Sequence, residues 1–172
     1  FNPDKAKWFN EQHLRDTPVA DLMPATQALF AGEGVDYTAD QTAAVLEMML
    51  ERIVFLDDLK AAHWLHTAPT AFPEKMLKKR WKDDTNGILR ELTDELRAVE
   101  PFEADPIETA FKAFLARKEL GFGQVLLPFR IALTGEGGGP SMFAFAAFLG
   151  KEATLDRLAQ GMDLIAQQRA EA

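Results

Sequence analysis

Two arginines stand where arginine is uncommon. Arg52 is flanked by Leu50, Ile53 and Val54, and Arg130 by Phe129, Ile131 and Leu133. A guanidinium in an apolar stretch is either held by a carboxylate or turned toward a partner. Its planar fork suits bidentate contact with a base edge, or stacking on a base. A third feature is KMLKKRWK, residues 75–82, where Lys75, Lys78, Lys79, Arg80 and Lys82 have no acidic residue among them. Such a cluster attracts phosphates and releases their counterions, and Trp81 could stack on a base. The same pattern also describes a solvated helix face with Met76 and Trp81 turned inward. Gly135, Gly137, Gly138 and Gly139 have neither the P-loop nor the dinucleotide-binding spacing, so they read first as a flexible connection between helices. His63 and His66 lie three apart, as a metal pair can, but no further ligands are evident. An ordinary surface or packing role is the plainer reading. No serine–histidine–acid set and no carboxylate pair stands out. The expectation is no catalytic residue, no metal and no cofactor in this chain.

Composition narrows the classes further. The chain has 172 residues, 47% hydrophobic and 27% charged, which is enough for one or two compact domains. Its formal net charge is −8, so it is not a generally basic nucleic-acid binder, and any such role needs a local patch. There is no cysteine, which removes disulfides, thiolate metal sites and cysteine nucleophiles. No apolar run reaches the ~18 residues of a membrane-spanning helix. The start at Phe1 is polar and is not a methionine. A soluble cytoplasmic protein, monomeric and cut from a longer chain, is expected.

The elements that must position these residues are helices. No stretch alternates at period two. Thr17 with Pro18 signals a helix start, and Pro24 lies within that helix before Gly32 and Gly34 end it. Thr38 to Gln41 fits a capping box, followed by Ala43, Leu46, Met49 and Leu50 on one face. A further helix is expected over about 56–65. HTAPTAFPEK is a linker by composition, placing a boundary that gives 1–72 and 73–172. Beyond it, helices are expected at 84–99, from Asp105–Pro106, at 124–133, at 142–149 and from Lys151. The expected fold is all-α, with about nine or ten short helices in two packed subdomains.

The stretch GQVLLPFRIALTGEGGGPSMFAFAAFLGKEATLDRL, residues 123–158, resembles the C-terminal signature of bacterial glutamyl-tRNA synthetases. Pro128, Arg130, Ala132, Leu133, Thr134, Gly135, Pro140, Phe143, the run Leu149 to Glu152, Arg157 and Leu158 match its fixed points, with Phe129 in place of leucine. DKAKWFNEQHLR, residues 4–15, is similar to the family's W-x-N segment, with His13 in place of tyrosine. ERIVFLDDL, residues 51–59, is similar to its R-x-x-T-L segment, with Phe55 in place of threonine. The resemblance spans nearly the whole chain.

The resemblance implies an α-helical cage that binds the anticodon loop of glutamate tRNA. The arginine matching Arg52 then reads the last anticodon base, a cytosine. The segment of Arg130, with the loop through Gly139 and Met142, lies along the anticodon loop, and Lys75 to Lys82 add phosphate attraction. In the family, ATP, Mg and glutamate belong to an upstream nucleotide-fold catalytic domain, whose motifs are not in this sequence. The chain is therefore expected to bind tRNA without charging it, beside the catalytic domain of the same polypeptide. Two rival readings come from the residues: a protein-interaction module whose arginines hold acidic partners, and a small enzyme with a metal at His63 and His66.

Overall fold

A computed structural model describes residues 2–172. Among these residues there are nine α-helices, three short 3-10 segments and no strand. They divide into two compact units, one ending at His66 and the other running from Thr67 to Ala172.

The first unit contains α1 (Pro3–Asp16), α2 (Val19–Gly32) and α3 (Ala39–Met49). Asn2 caps α1 by accepting the amides of Asp4 and Lys5. Thr17 does not cap α2 as expected. Its hydroxyl donates to the His13 carbonyl at 2.6 Å and closes α1, and Pro18 becomes the N-cap. The α2 helix runs through Pro24 to Gly32. The capping box is present: Gln41 N–H donates to Thr38 Oγ1, and Thr38 N–H donates to Gln41 Oε1. The buried face of α3 is Thr42, Val45, Leu46 and Met49, one residue off the expected stripe at its start.

No α-helix forms over 56–65. Two 3-10 segments, Leu56–Ala61 and His63–Leu65, replace it. Leu59, Ala62 and Leu65 are all buried at a spacing of three. A 3-10 turn stacks that spacing on one side, whereas an α-helix would rotate it off the core.

The second unit holds α4 (Glu74–Arg80), α5 (Thr85–Arg97), α6 (Ala104–Lys118), α7 (Phe122–Thr134), α8 (Met142–Leu149) and α9 (Lys151–Ala170). The α6 helix starts before the expected Asp105 cap, with Glu103 as N-cap. Pro106 then falls in the first turn, where a missing amide costs nothing. The division between units falls after His66 and not after Phe72. Phe72 is buried, and its carbonyl accepts from Gln168 Nε2 at 2.8 Å, so 67–72 pack with the second unit.

The core of this unit is aromatic. Phe111 meets Phe122, Phe129 and Phe143 edge-on at 5.3–5.8 Å. Each buried phenyl contributes about 1.5–3 kcal/mol. The α7 and α9 helices approach closely enough that a Cβ on Gly161 would lie 2.7 Å from the Ala132 carbonyl oxygen. No described helix is long and apolar enough to cross a membrane.

Candidate nucleic-acid interface

Arg52 ends a 3-10 turn, Leu50–Arg52, that continues α3. Ile53 follows in extended conformation and is buried, anchoring the chain as it leaves the turn. Three side chains then hold the backbone on either side of Arg52. Arg15 donates to the Glu51 carbonyl at 3.3 Å, and Asn10 Nδ2 donates to the Val54 carbonyl. The Asp58 carboxylate accepts the amides of Val54 and Phe55 at 2.8 and 2.9 Å. Arg52 itself is exposed and has no hydrogen-bond or ion-pair partner among the described residues. Of the two fates open to an arginine in apolar surroundings, this one is turned outward.

Arg130 lies in the middle of α7 and is half-buried. Its guanidinium folds back on its own chain, donating from Nη1 to the Pro140 carbonyl at 2.9 Å. The loop it reaches leaves α7 through Gly135, whose φ of 73° favours glycine. Thr134 ties the exit down: its hydroxyl donates to the Arg130 carbonyl at 2.8 Å and accepts the Glu136 amide at 3.0 Å. Gly139 is half-buried near the far end of the loop. Ser141 caps α8 by accepting the Ala144 amide. Met142 is 1% exposed, so it belongs to the core and offers no surface of its own to a partner.

The basic segment separates by role. Leu77 and Trp81 are buried, and the Trp81 indole N–H donates to Asn86 Oδ1 at 3.2 Å. Trp81 is therefore a packing residue and is not available for stacking. Lys78 pairs with Glu74 at 2.7 Å. That hydrogen bond, and then the charge of Lys78, hold the Glu74 carboxyl below the usual carboxylate range. Lys82 Nζ donates to the Lys78 carbonyl at 3.3 Å, at the C-terminus of α4. Lys75, Lys79 and Arg80 are exposed with no such partner among the described residues. Lys79, Arg80 and Lys82 also line a hollow of about 430 Å³ that includes Gln124 and Leu127. Five basic residues in sequence thus reduce to three free cations.

His63 is exposed and His66 is half-buried. The rings of His63 and His66 lie 6.2 Å apart edge-on, and His66 is edge-on to Phe30 at 6.4 Å. No group of three or more histidine, aspartate or glutamate side chains is arranged for a metal among the described residues.

The resemblance passes through three further residues without giving them a role, and the structure supplies one. Asn10 and Asp58 fix the extended segment after Arg52. Arg157, only 8% exposed, donates to the Leu133 carbonyl at 3.1 Å and lies 5.6 Å from the Phe145 ring centre, bracing α7. Asp58 carried a local signal, because an acid three residues past an exposed turn can accept its amides. Asn10 stands in the W-x-N segment, but its partner lies 44 residues on and nothing local points to it.

Residues 17–162 match the model of the family described as "Anticodon binding domain". The chain is 32% identical over 166 residues to the glutamate–tRNA ligase of Christiangramia forsetii. That match covers 96% of this chain and 33% of the relative. It is 33% identical over 176 residues to the glutamate–tRNA ligase of Chlorobium phaeobacteroides. The chain thus spans about a third of the length of the curated relatives it matches. A crystal structure of a glutamate tRNA ligase from Elizabethkingia meningosepticum, in complex with its amino acid, superposes with a TM-score of 0.91 at 30% identity. It covers 95% of this chain and 32% of that one. With a nine-helix fold among the described residues, an exposed arginine on a braced turn and a family match along most of its length, the chain belongs to the anticodon-binding domain family.

Proposed function

We propose that this chain is the C-terminal region of a glutamate–tRNA ligase that recognises the anticodon loop of its tRNA. The observation that carries the reading is Arg52: exposed, without a partner among the described residues, on a backbone held by Asn10, Arg15 and Asp58. A fork donor held in that way is pre-organised to bond the edge of an unpaired base. Its target is the third anticodon base, a cytosine, whose O2 and N3 accept hydrogen bonds. In the second unit, Arg130 acts by shaping the loop through Gly139 that leads to the start of α8 at Met142, and the backbone of that loop lies along the RNA. Lys75, Lys79 and Arg80 attract phosphates without reading sequence, and Lys78 and Lys82 contribute less because each already has a partner. The net charge of −8 keeps unrelated RNA away from the rest of the surface.

Recognition is the whole task of this stretch. Ligation of glutamate to the tRNA, with ATP and Mg, belongs to the other two thirds of such a protein, including its catalytic domain. A monomeric, cytoplasmic protein completes the reading.

The test is binding of this chain to a glutamate tRNA anticodon stem-loop, beside a copy with only the third anticodon base changed, at two salt concentrations. The matched loop binds tighter by about 1–3 kcal/mol, and both affinities fall with salt. Equal binding of the two loops would remove the base-reading role.

A further inference from the structure

We propose that Phe55 is the stacking platform for the base that Arg52 reads. The inference rests on the anticodon reading above and adds a second residue to it.

Among the described residues, four large apolar side chains are conspicuously exposed: Trp8, Phe9, Phe55 and Phe122. Trp8 and Phe9 lie edge-on against each other at 5.1 Å. Phe122 meets Phe111 and Phe143. Phe55, 47% exposed, has no ring contact among the described residues, although its neighbours Ile53 and Leu59 are buried. A phenyl left half in water forgoes much of the free energy its burial would supply. The chain nevertheless holds it there firmly. Phe55 N–H donates to the Asp58 carboxylate at 2.9 Å, and Asp58 N–H donates back to the Phe55 carbonyl at 3.0 Å. One residue earlier, the Val54 amide meets the same carboxylate, and the Val54 carbonyl accepts from Asn10. The ring is therefore exposed on a fixed backbone, and not on a loose one.

Three residues before it stands Arg52. An unstacked base has two needs, a flat apolar surface for one face and a donor for its edge. Phe55 supplies the first and Arg52 the second, on one braced segment. An acidic peptide would engage Arg52 and leave the ring idle. The division of labour is specific. Every base has a face, so stacking adds affinity without choosing between bases. Hydrogen bonding at the edge does the choosing.

That division sets the experiment. Phe55→Leu, Phe55→Tyr and Arg52→Ala are compared with the unaltered chain. Each is titrated against the matched glutamate stem-loop, the loop with its third anticodon base changed, and a loop abasic at that position. Unfolding midpoints are recorded for each variant. Phe55→Leu is expected to weaken both base-bearing loops by the same factor, about five- to a hundredfold, leaving their ratio unchanged. Phe55→Tyr restores most of the loss. Against the abasic loop, Phe55→Leu and the unaltered chain bind alike. Arg52→Ala instead collapses the ratio between the base-bearing loops.

If the unaltered chain discriminates the loops but Phe55→Leu binds the matched one as tightly, the platform is wrong and the Arg52 reading survives. If the Phe55→Leu loss persists on the abasic loop, the ring acts on the protein and not on a base. If the unaltered chain does not discriminate at all, the Arg52 reading fails and takes the platform with it.

Discussion

The first unit offers its arginine to solvent, whereas the second turns its arginine back on its own loop. Arg52 and Arg130 have similar apolar neighbours in sequence, and each lies at or inside a helical segment. Arg52 leaves a 3-10 turn whose backbone is fixed by other side chains, so its own donors are unused. Arg130 spends donors on the Pro140 carbonyl, ten residues away. Apolar flanks therefore show that a guanidinium has a task, without showing whether it is to meet a partner or to build the surface a partner meets. The units also differ in how they hold themselves together. The first braces a short segment with side-chain hydrogen bonds, and its Gly32 and Gly34 have open space around them. The second uses such hydrogen bonds too, from Arg157 to Leu133 and from Gln168 to Phe72, and adds a close backbone approach of Gly161 against Ala132.

The largest expected effect tests that difference in packing. Gly161→Val places a Cβ 2.7 Å from a backbone oxygen, so α7 and α9 must separate. A loss of about 1–3 kcal/mol or more is expected in urea unfolding, with the Arg130 loop weakened in binding as well. Gly32→Ala, which meets nothing in the first unit, is expected to be neutral or slightly stabilising. Equal midpoints for the two variants would erase the distinction.

Next in size is Arg130→Ala. Removing a charged donor from a half-buried carbonyl contact is expected to cost about 1.5–3 kcal/mol of stability. It should also weaken matched and mismatched loops together. Loss of discrimination without loss of stability would make Arg130 a base reader and join it to Arg52.

Arg52→Ala is the counterpart. Stability should stay within about 0.5 kcal/mol, because no partner among the described residues is lost. Discrimination at the third anticodon base should fall by about 1–3 kcal/mol, measured by stem-loop titration. A clear drop in the unfolding midpoint would show that Arg52 is structural after all.

The smallest effects belong to the basic segment. Lys75→Ala and Lys79→Ala should each lower the slope of log affinity against log salt by about one, uniformly across loop sequences. Lys78→Ala should do less, because Lys78 is already paired with Glu74. The same variant should return the Glu74 carboxyl toward its ordinary range in an NMR titration. The sign follows from the lowered value. The pairing is complete above the ordinary carboxylate range and is lost as pH falls through the lowered one.

Much of the fold was legible because helix signals are local. The capping box at Thr38 and Gln41, the glycine exit at Gly135 and the start of α9 at Lys151 each depend on residues within one turn of one another. The start signals at Thr17 and at Asp105 misled by one or two residues. Pro18 stands at the N-cap and Pro106 in the first turn, and a missing amide is tolerated at either place, so a proline does not set the boundary. The 3-10 course of 56–65 was missed although the spacing of Leu59, Ala62 and Leu65 was in plain view. A triplet spacing over so short a stretch is also found in α-helices, and only the surface it packs on distinguishes them.

The amino-acid order alone determined that the chain is helical, acidic with one basic segment, without cysteine, and built around two arginines in apolar company. Each of those properties is counted or read within a few neighbouring residues. Tertiary structure alone decided which arginine is free and that Trp81 and Met142 are buried. It also brought Asn10 to the backbone beside Arg52 and Arg157 to the end of α7. The reason is physical. Exposure and pairing are set by what the rest of the chain places within a few ångströms, and those neighbours lie ten to more than forty residues away in sequence.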